Sequence, residues 1–159
     1  MMNDDEIPIG SEFGSHGSML AVPALLERLF FAADQIREGI RMYMTGEPDI
    51  NTFINAREVL YIEVFGIVRP MMKKDEREVI NDAFKNIRQI IEEIMKPPDV
   101  REVRMSTLEL YRIVSDRMTD LWFLLNDFLQ GKKQLYLREP ASKSDLFQKE
   151  LERMRKMIK

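Results

Sequence analysis

The sequence predicts an all-α protein, with an antiparallel four-helix bundle followed by an additional amphipathic C-terminal helix. Two observations lead to this fold class. Apolar residues recur with the period of a helix through five blocks of the sequence. Prolines and glycines separate these blocks by connections of roughly two to six residues, and such short connections make neighbouring helices antiparallel.

The block boundaries are set by residues that start or stop helices. Proline suits the first turn of a helix and cannot continue one, and glycine suits the left-handed position that follows a helix. The breakers are Pro23 and Gly46 around the first block, Pro70 after the second, Pro97 and Pro98 after the third, Gly131 after the fourth, and Pro140 before the fifth.

The third and fourth blocks have the clearest helical patterns. In the third, the apolar residues are Ile80, Ala83, Phe84, Ile87, Ile90, Ile91 and Ile94, which fall on one side of a helix. The fourth block has two capping-box spacings at which a helix can begin, either Asp99 with Glu102 or Ser106 with Glu109.

The second block combines two conflicting signals. Residues 59–65 are rich in the β-branched and aromatic side chains that favour strands. However, Ile50, Phe53, Tyr61, Val64 and Val68 keep helical spacing over several turns, and a lone strand would have no pairing partner elsewhere. We therefore predict a helix here.

The domain organisation follows from the same boundaries. Residues 10–18 resemble translated cloning sites, so we interpret residues 1–18 as an expression-tag segment, with a native acidic tail as the alternative. Residues 19–139 then form the four-helix bundle, and residues 140–159 form the basic C-terminal helix. The only histidine, His16, lies in the first segment.

Several catalytic chemistries lack the residues that they need. The chain has no cysteine, and after residue 18 it has no histidine, so thiolate or histidine metal sites and Ser-His-Asp catalysis are not expected. No glycine-rich phosphate loop is present. We therefore expect a non-enzymatic protein without a cofactor. One enzymatic alternative is a Mg²⁺-dependent phosphohydrolase, for which the candidate carboxylates are Glu58, Glu63, Glu92, Glu93, Asp116 and Asp120.

No apolar stretch is long enough to cross a bilayer, which needs about 20 residues. We expect a soluble, cytoplasmic protein. The abundance of Glu, Lys, Arg and Ile, together with the lack of cysteine, is typical of proteins from thermophilic organisms.

Some apolar residues lie away from the main stripe of their helix. On helical wheels drawn at about 100° per residue, these are Phe31, Val59, Ile62, Ile113 and Phe123. Such residues form either an exposed interface patch, most simply that of a two-fold dimer, or surfaces covered by the C-terminal helix. In that helix Phe147, Leu151, Met154 and Ile158 have the spacing of a coiled-coil seam, which must dock on its own bundle or on a partner.

The charge is distributed unevenly along the chain. Residues 131–159 carry nine basic and four acidic side chains, a net of +5, whereas residues 19–130 carry a net of −4. We predict anion or nucleic-acid binding by Lys132, Lys133, Lys149, Arg153, Arg155 and Lys156. An acidic protein, including a second copy of this chain, is the alternative partner. The simpler interpretation is a solvated helix with internal ion pairs such as Glu152 with Lys156.

Arg57 is a charged residue at a position where the helical pattern predicts an apolar side chain. It falls within the apolar stripe of the second block, so it either holds a phosphate or carboxylate or extends its head to water. The leading hypothesis is a helical scaffold that self-associates and presents its basic C-terminal helix to a partner. Nucleic-acid binding and the Mg²⁺-dependent phosphohydrolase are the alternatives.

Overall fold

The computed structural model describes residues 18–131 and 143–158, with side chains for residues 22–131 and 146–158. Within these ranges the chain forms five helices. No strand occurs in these ranges, which confirms the predicted all-α class. The helices are α1 (Ser18–Met44), α2 (residues 51–71), α3 (Lys74–Met95), α4 (Thr107–Leu129) and α5 (Lys143–Ile158). No helix within these ranges is both long and apolar enough to span a membrane.

The predicted boundaries agree with the structure at most helix ends. Gly46 and Gly131 adopt the left-handed conformation, with φ of 84° and 78°, directly after α1 and α4. At the start of α4, the Ser106 hydroxyl accepts a hydrogen bond from the Glu109 N–H at 3.1 Å, and the Glu109 carboxylate accepts one from the Ser106 N–H at 3.0 Å. The later of the two predicted capping boxes is therefore the one that forms.

The first helix begins earlier than expected. Pro23 was predicted at its start, but α1 begins at Ser18 and contains Pro23 in its second turn. Proline lacks an N–H, and so near a helix start it removes only one bond of the backbone ladder.

The connection between α3 and α4 is longer than the predicted two to six residues, because α4 begins at the Ser106 cap. Arg101 holds this loop in place. Its guanidinium donates to the carbonyls of Glu93, Ile94 and Met105 at 3.0–3.2 Å, and to the Thr107 hydroxyl at 2.8 Å. The bonds to Glu93 and Ile94 go to carbonyls in the last turn of α3, and those to Met105 and Thr107 reach the start of α4, so Arg101 joins the two helix ends.

The second helix changes its winding along its length. It is α-helical over Asn51–Glu58, a π-helix over Val59–Phe65, briefly α-helical again over Gly66–Val68, and a 3₁₀ turn over Arg69–Met71. The residues with strand-like composition thus form the π-helix. Four of them, Val59, Leu60, Val64 and Phe65, are buried.

Helices α1 and α4 form the centre of the packing. α1 lies antiparallel to α2, since Gly39 approaches Phe53 while Arg28 pairs with Glu63 further along. α3 packs along α4, and α5 packs mainly on α1. The backbones of α2 and α3 come close in few places, and the ring of Phe84 bridges the two helices. A regular four-helix bundle therefore stays a prediction.

The close approach of α1 and α2 at Gly39 gives a testable prediction. A β-carbon at Gly39 would lie 2.5 Å from Phe53 Cζ and 2.6 Å from Thr52 Oγ1, and Phe53 is fully buried. We expect Gly39→Ala to lower the free energy of unfolding by about 1–3 kcal/mol through overpacking. Urea denaturation measures this loss, and an unchanged m-value would show that the substitution alters stability alone.

Gly66→Ala is the matched control for this prediction. A β-carbon at Gly66 would meet nothing closer than the Tyr61 carbonyl at 3.6 Å, and Gly66 is an exposed helical residue. The higher helix propensity of alanine should raise stability by up to about 1 kcal/mol. Equal effects of the two substitutions would contradict the packing described here.

Candidate functional site

A cleft between α2 and α3 combines cationic and aromatic side chains. Its volume is about 330 Å³. The cleft is lined by Arg57, Glu58 and Tyr61 from α2 and by Asn81, Phe84, Lys85 and Arg88 from α3. Counted from Asn81, the other α3 residues follow three, four and seven positions later, which places all four along one stripe of the helix. Because α2 and α3 are kept apart by aromatic rings, the polar members of this stripe, Asn81, Lys85 and Arg88, remain open to solvent.

Two aromatic residues form the apolar part of the cleft. Phe84 is buried, and Tyr61 is half exposed. The Tyr61 ring packs edge-on against Phe84, with centroids 5.0 Å apart at 69°, and lies 6.0 Å from the ring of Phe65. Tyr61 is thus held by two aromatic neighbours while half of its surface stays accessible. The tyrosine belongs to the π-helix, a conformation that is frequent at functional sites.

The charged groups of the cleft give it a net charge of +2. Arg57 is partly buried, with 24% of its side chain exposed, and its guanidinium lies 3.4 Å from Glu58. Lys85 and Arg88 are exposed, and within the described ranges neither makes a hydrogen bond or an ion pair. Arg57 therefore lies neither in the core nor free in water, and it lines the cleft together with these two cationic side chains.

The predicted exposed patch is only partly present. Phe31 is 50% exposed and Ile62 is 61% exposed, as expected for interface candidates. Val59 and Phe123 are not part of an exposed patch, because both side chains are buried in the core of the chain itself. Val59 faces the interior from the π-helix, and Phe123 is covered by Phe147 at a ring distance of 6.4 Å. Ile113 is half-buried.

The C-terminal helix docks on its own chain. Phe147, Leu151 and Met154 are buried, and Ile158 is half-buried. The Phe147 ring packs edge-on against Trp122 at 5.3 Å. These four residues were predicted as interface residues, and the structure places them at an internal interface between α5 and the rest of the chain. Two heptads of helix are too short to stand alone, so this burial is what stabilises α5.

The basic residues of the C-terminal region have different surroundings. The Arg153 guanidinium donates to Glu150 at 2.6 Å, and that of Arg155 lies 4.9 Å from the ring centre of Phe30. Lys149 and Lys156 are exposed. Lys132 and Lys133 lie outside the described residues. The outward face of α5 is therefore basic, although one of its arginines is already paired within the helix.

The candidate magnesium carboxylates are not brought together. Glu58, Glu63 and Glu93 pair with Arg57, Arg28 and Lys96 respectively. The Lys96 ammonium, by hydrogen bonding, holds the pKa of Glu93 below its usual value. Asp120 is buried instead of lying on a polar face. Among the residues described, no group of three or more acidic, histidine or cysteine side chains could hold a metal ion.

Among the seven cleft residues, the sequence marks Arg57 as a candidate for anion binding, and this stays a prediction. Arg57 was singled out by its position in an apolar stripe. Tyr61 was assigned to that stripe and is half exposed at the cleft. The stripe formed by Asn81, Lys85 and Arg88 on α3 could have been found from its helical spacing. The sequence could not show that this stripe faces Arg57, because their relative position depends on how α2 and α3 pack.

No protein-family model matches this chain, and no match was found among curated proteins or solved structures. The all-helical class does not by itself assign a function, since such scaffolds support many unrelated ones. What the protein does is therefore inferred from its own residues.

The docking of α5 can be tested by removing its central anchor. Phe147→Ala should lower the free energy of unfolding by about 3–5 kcal/mol, because a buried aromatic ring is lost and a cavity is left. Lys149→Ala, on the exposed face of the same helix, should change it by less than about 0.5 kcal/mol. Chemical denaturation measures both. An unaltered stability in Phe147→Ala would show that α5 does not dock on its own chain.

Proposed function

We propose that this protein is a non-enzymatic interaction protein that self-associates through the face carrying Phe31 and Ile62, and presents the basic outer face of α5 to a partner. The observation that supports this most is the exposure of two large apolar side chains on adjacent helices. Single exposed apolar residues are ordinary, but neighbouring ones on packed helices form a patch that favours association.

The ion pair between α1 and α2 relates the positions of these two side chains along the helix axes. The Arg28 guanidinium donates to Glu63 at 2.8 Å. Phe31 follows Arg28 by three residues on α1, and Ile62 directly precedes Glu63 on α2. Because the two helices are antiparallel, Phe31 and Ile62 lie within about one helical turn of each other along the axes.

A second copy of the chain is a suitable partner for this face, because a two-fold axis pairs identical patches and opposite charges. A two-fold dimer brings the same patch of each subunit together, so two exposed apolar residues become four. The patch is flanked by one positive and one negative side chain, Arg28 and Glu63, each about half exposed. A two-fold axis nearby would let each charge of one copy approach the opposite charge of the other. Burial of the apolar residues favours association, and the charges determine how the two copies are oriented relative to each other.

The outer face of α5 provides the second part of the proposal. Lys149, Arg155 and Lys156 are exposed on it, whereas residues 19–130 carry a net charge of −4. An acidic protein surface, including that of another copy, complements the basic face. Nucleic acid is the alternative anion, and its binding would weaken steeply with added salt because counterions are released.

Self-association can be tested by light scattering after size exclusion at low and high salt. We expect a dimer that persists at high salt, because apolar contacts are not screened. Phe31→Ser and Ile62→Ser should shift the equilibrium to monomer. The unfolding free energy of the monomer should stay within about 0.5 kcal/mol, since both side chains are exposed in it.

Leu108→Ser is the matched control, because Leu108 is 45% exposed but lies on α4. It should leave the dimer intact. A protein that is monomeric at high micromolar concentration would refute self-association. If Leu108→Ser dissociated the dimer while the Phe31 and Ile62 variants did not, the interface would lie elsewhere.

A further inference from the structure

We infer that the cleft between α2 and α3 binds a small phosphate ester that carries a planar ring, of which a nucleoside monophosphate is the simplest example. This site is separate from the proposed self-association face and does not depend on it. The ring would stack against Tyr61, and the phosphate would lie among Arg57, Lys85 and Arg88.

The size of the cleft limits the ligand to a small molecule. Its volume of about 330 Å³ is at the low end of the roughly 300–1,000 Å³ that small-molecule sites occupy. One ring and one charged group fill such a space. A nucleic-acid strand would need a longer basic track, whereas residues 19–130 are acidic overall.

The charges of the cleft point to an anion. Three cationic side chains face one carboxylate, and the single contact between Arg57 and Glu58 is long at 3.4 Å. The guanidinium of Arg57 therefore keeps most of its five N–H donors for another acceptor. Arginine forks match phosphate geometry, and lysine adds a compact charge, so this combination favours a phosphate group.

The aromatic residues determine the second half of the ligand. Phe84 forms a buried apolar base, and Tyr61 stands edge-on to it with half of its surface accessible. A ring that is held in place and still accessible loses little conformational entropy when a planar group stacks on it. Asn81, on the same stripe of α3, offers both a donor and an acceptor to the polar edge of such a ring.

Isothermal titration calorimetry of the full chain with three probes tests this assignment. The probes are adenosine monophosphate, adenosine and inorganic phosphate. We expect adenosine monophosphate to bind at least about tenfold more tightly than either of the other two, because only it uses both halves of the cleft. Stacking and phosphate contacts need no particular base, so the absence of adenosine monophosphate binding at low millimolar concentration would overturn the inference.

Substitutions within the cleft separate the two contributions. Arg88→Ala and Lys85→Ala should each weaken adenosine monophosphate binding by about fivefold to tenfold and leave adenosine unaffected. Tyr61→Ala should weaken the binding of both. All three side chains are exposed, so circular dichroism should show that the variants fold.

Arg104→Ala is the control, because Arg104 is an exposed arginine in the loop between α3 and α4, outside the cleft. It should leave every affinity unchanged. An equal loss of affinity in Arg104→Ala and Arg88→Ala would mean that adenosine monophosphate responds to general surface charge, and this result would also overturn the inference.

Discussion

One buried hydrogen bond joins the two central helices of this protein. The indole N–H of Trp122 on α4 donates to the Leu29 carbonyl of α1 at 2.9 Å, across a sequence separation of 93 residues. Trp122 is fully buried, and an indole N–H without a partner there would cost about 1–3 kcal/mol. The rings of Phe123 and Phe147 pack edge-on against it at 5.4 and 5.3 Å. Helices α1, α4 and α5 therefore meet at this one side chain.

The arrangement around Trp122 also accounts for the cleft. With α1 and α4 joined at the centre, α2 packs tightly on α1 at Gly39, where no side chain intervenes, and α3 packs on α4. Each outer helix is thus held mainly by a different central helix. The space left between α2 and α3 is bridged by Phe84 with Tyr61 and Phe65, and the cationic side chains beside these rings remain open to solvent.

The sequence predicts the features of this protein that depend on local interactions. The helical period, the capping box at Ser106 and the glycines after α1 and α4 each act within a few residues, and the structure confirms them. A wheel drawn at about 100° per residue does not apply to Val59, which begins the π-helix. For Phe123 the wheel shows where the residue points but not what covers it. Burial of Phe123 depends on Phe147, 24 positions later, and no local pattern contains that information. The cleft is of the same kind, since it arises from the distance between two helices.

The π-helix of α2 shows why the second block gave conflicting signals. A π-helix forms i→i+5 hydrogen bonds, so residues five apart lie close to the same side of the helix. Val59 and Val64 are five apart, as are Leu60 and Phe65, so the π-helix brings all four onto one buried face. This geometry accommodates four buried apolar residues in a run of seven, which in a short window looks like a strand. The same seven residues also place Tyr61 at the cleft and neighbouring Ile62 in solvent. The two proposed surfaces are therefore adjacent in sequence but built from different side chains, so each can be tested by substitutions of its own.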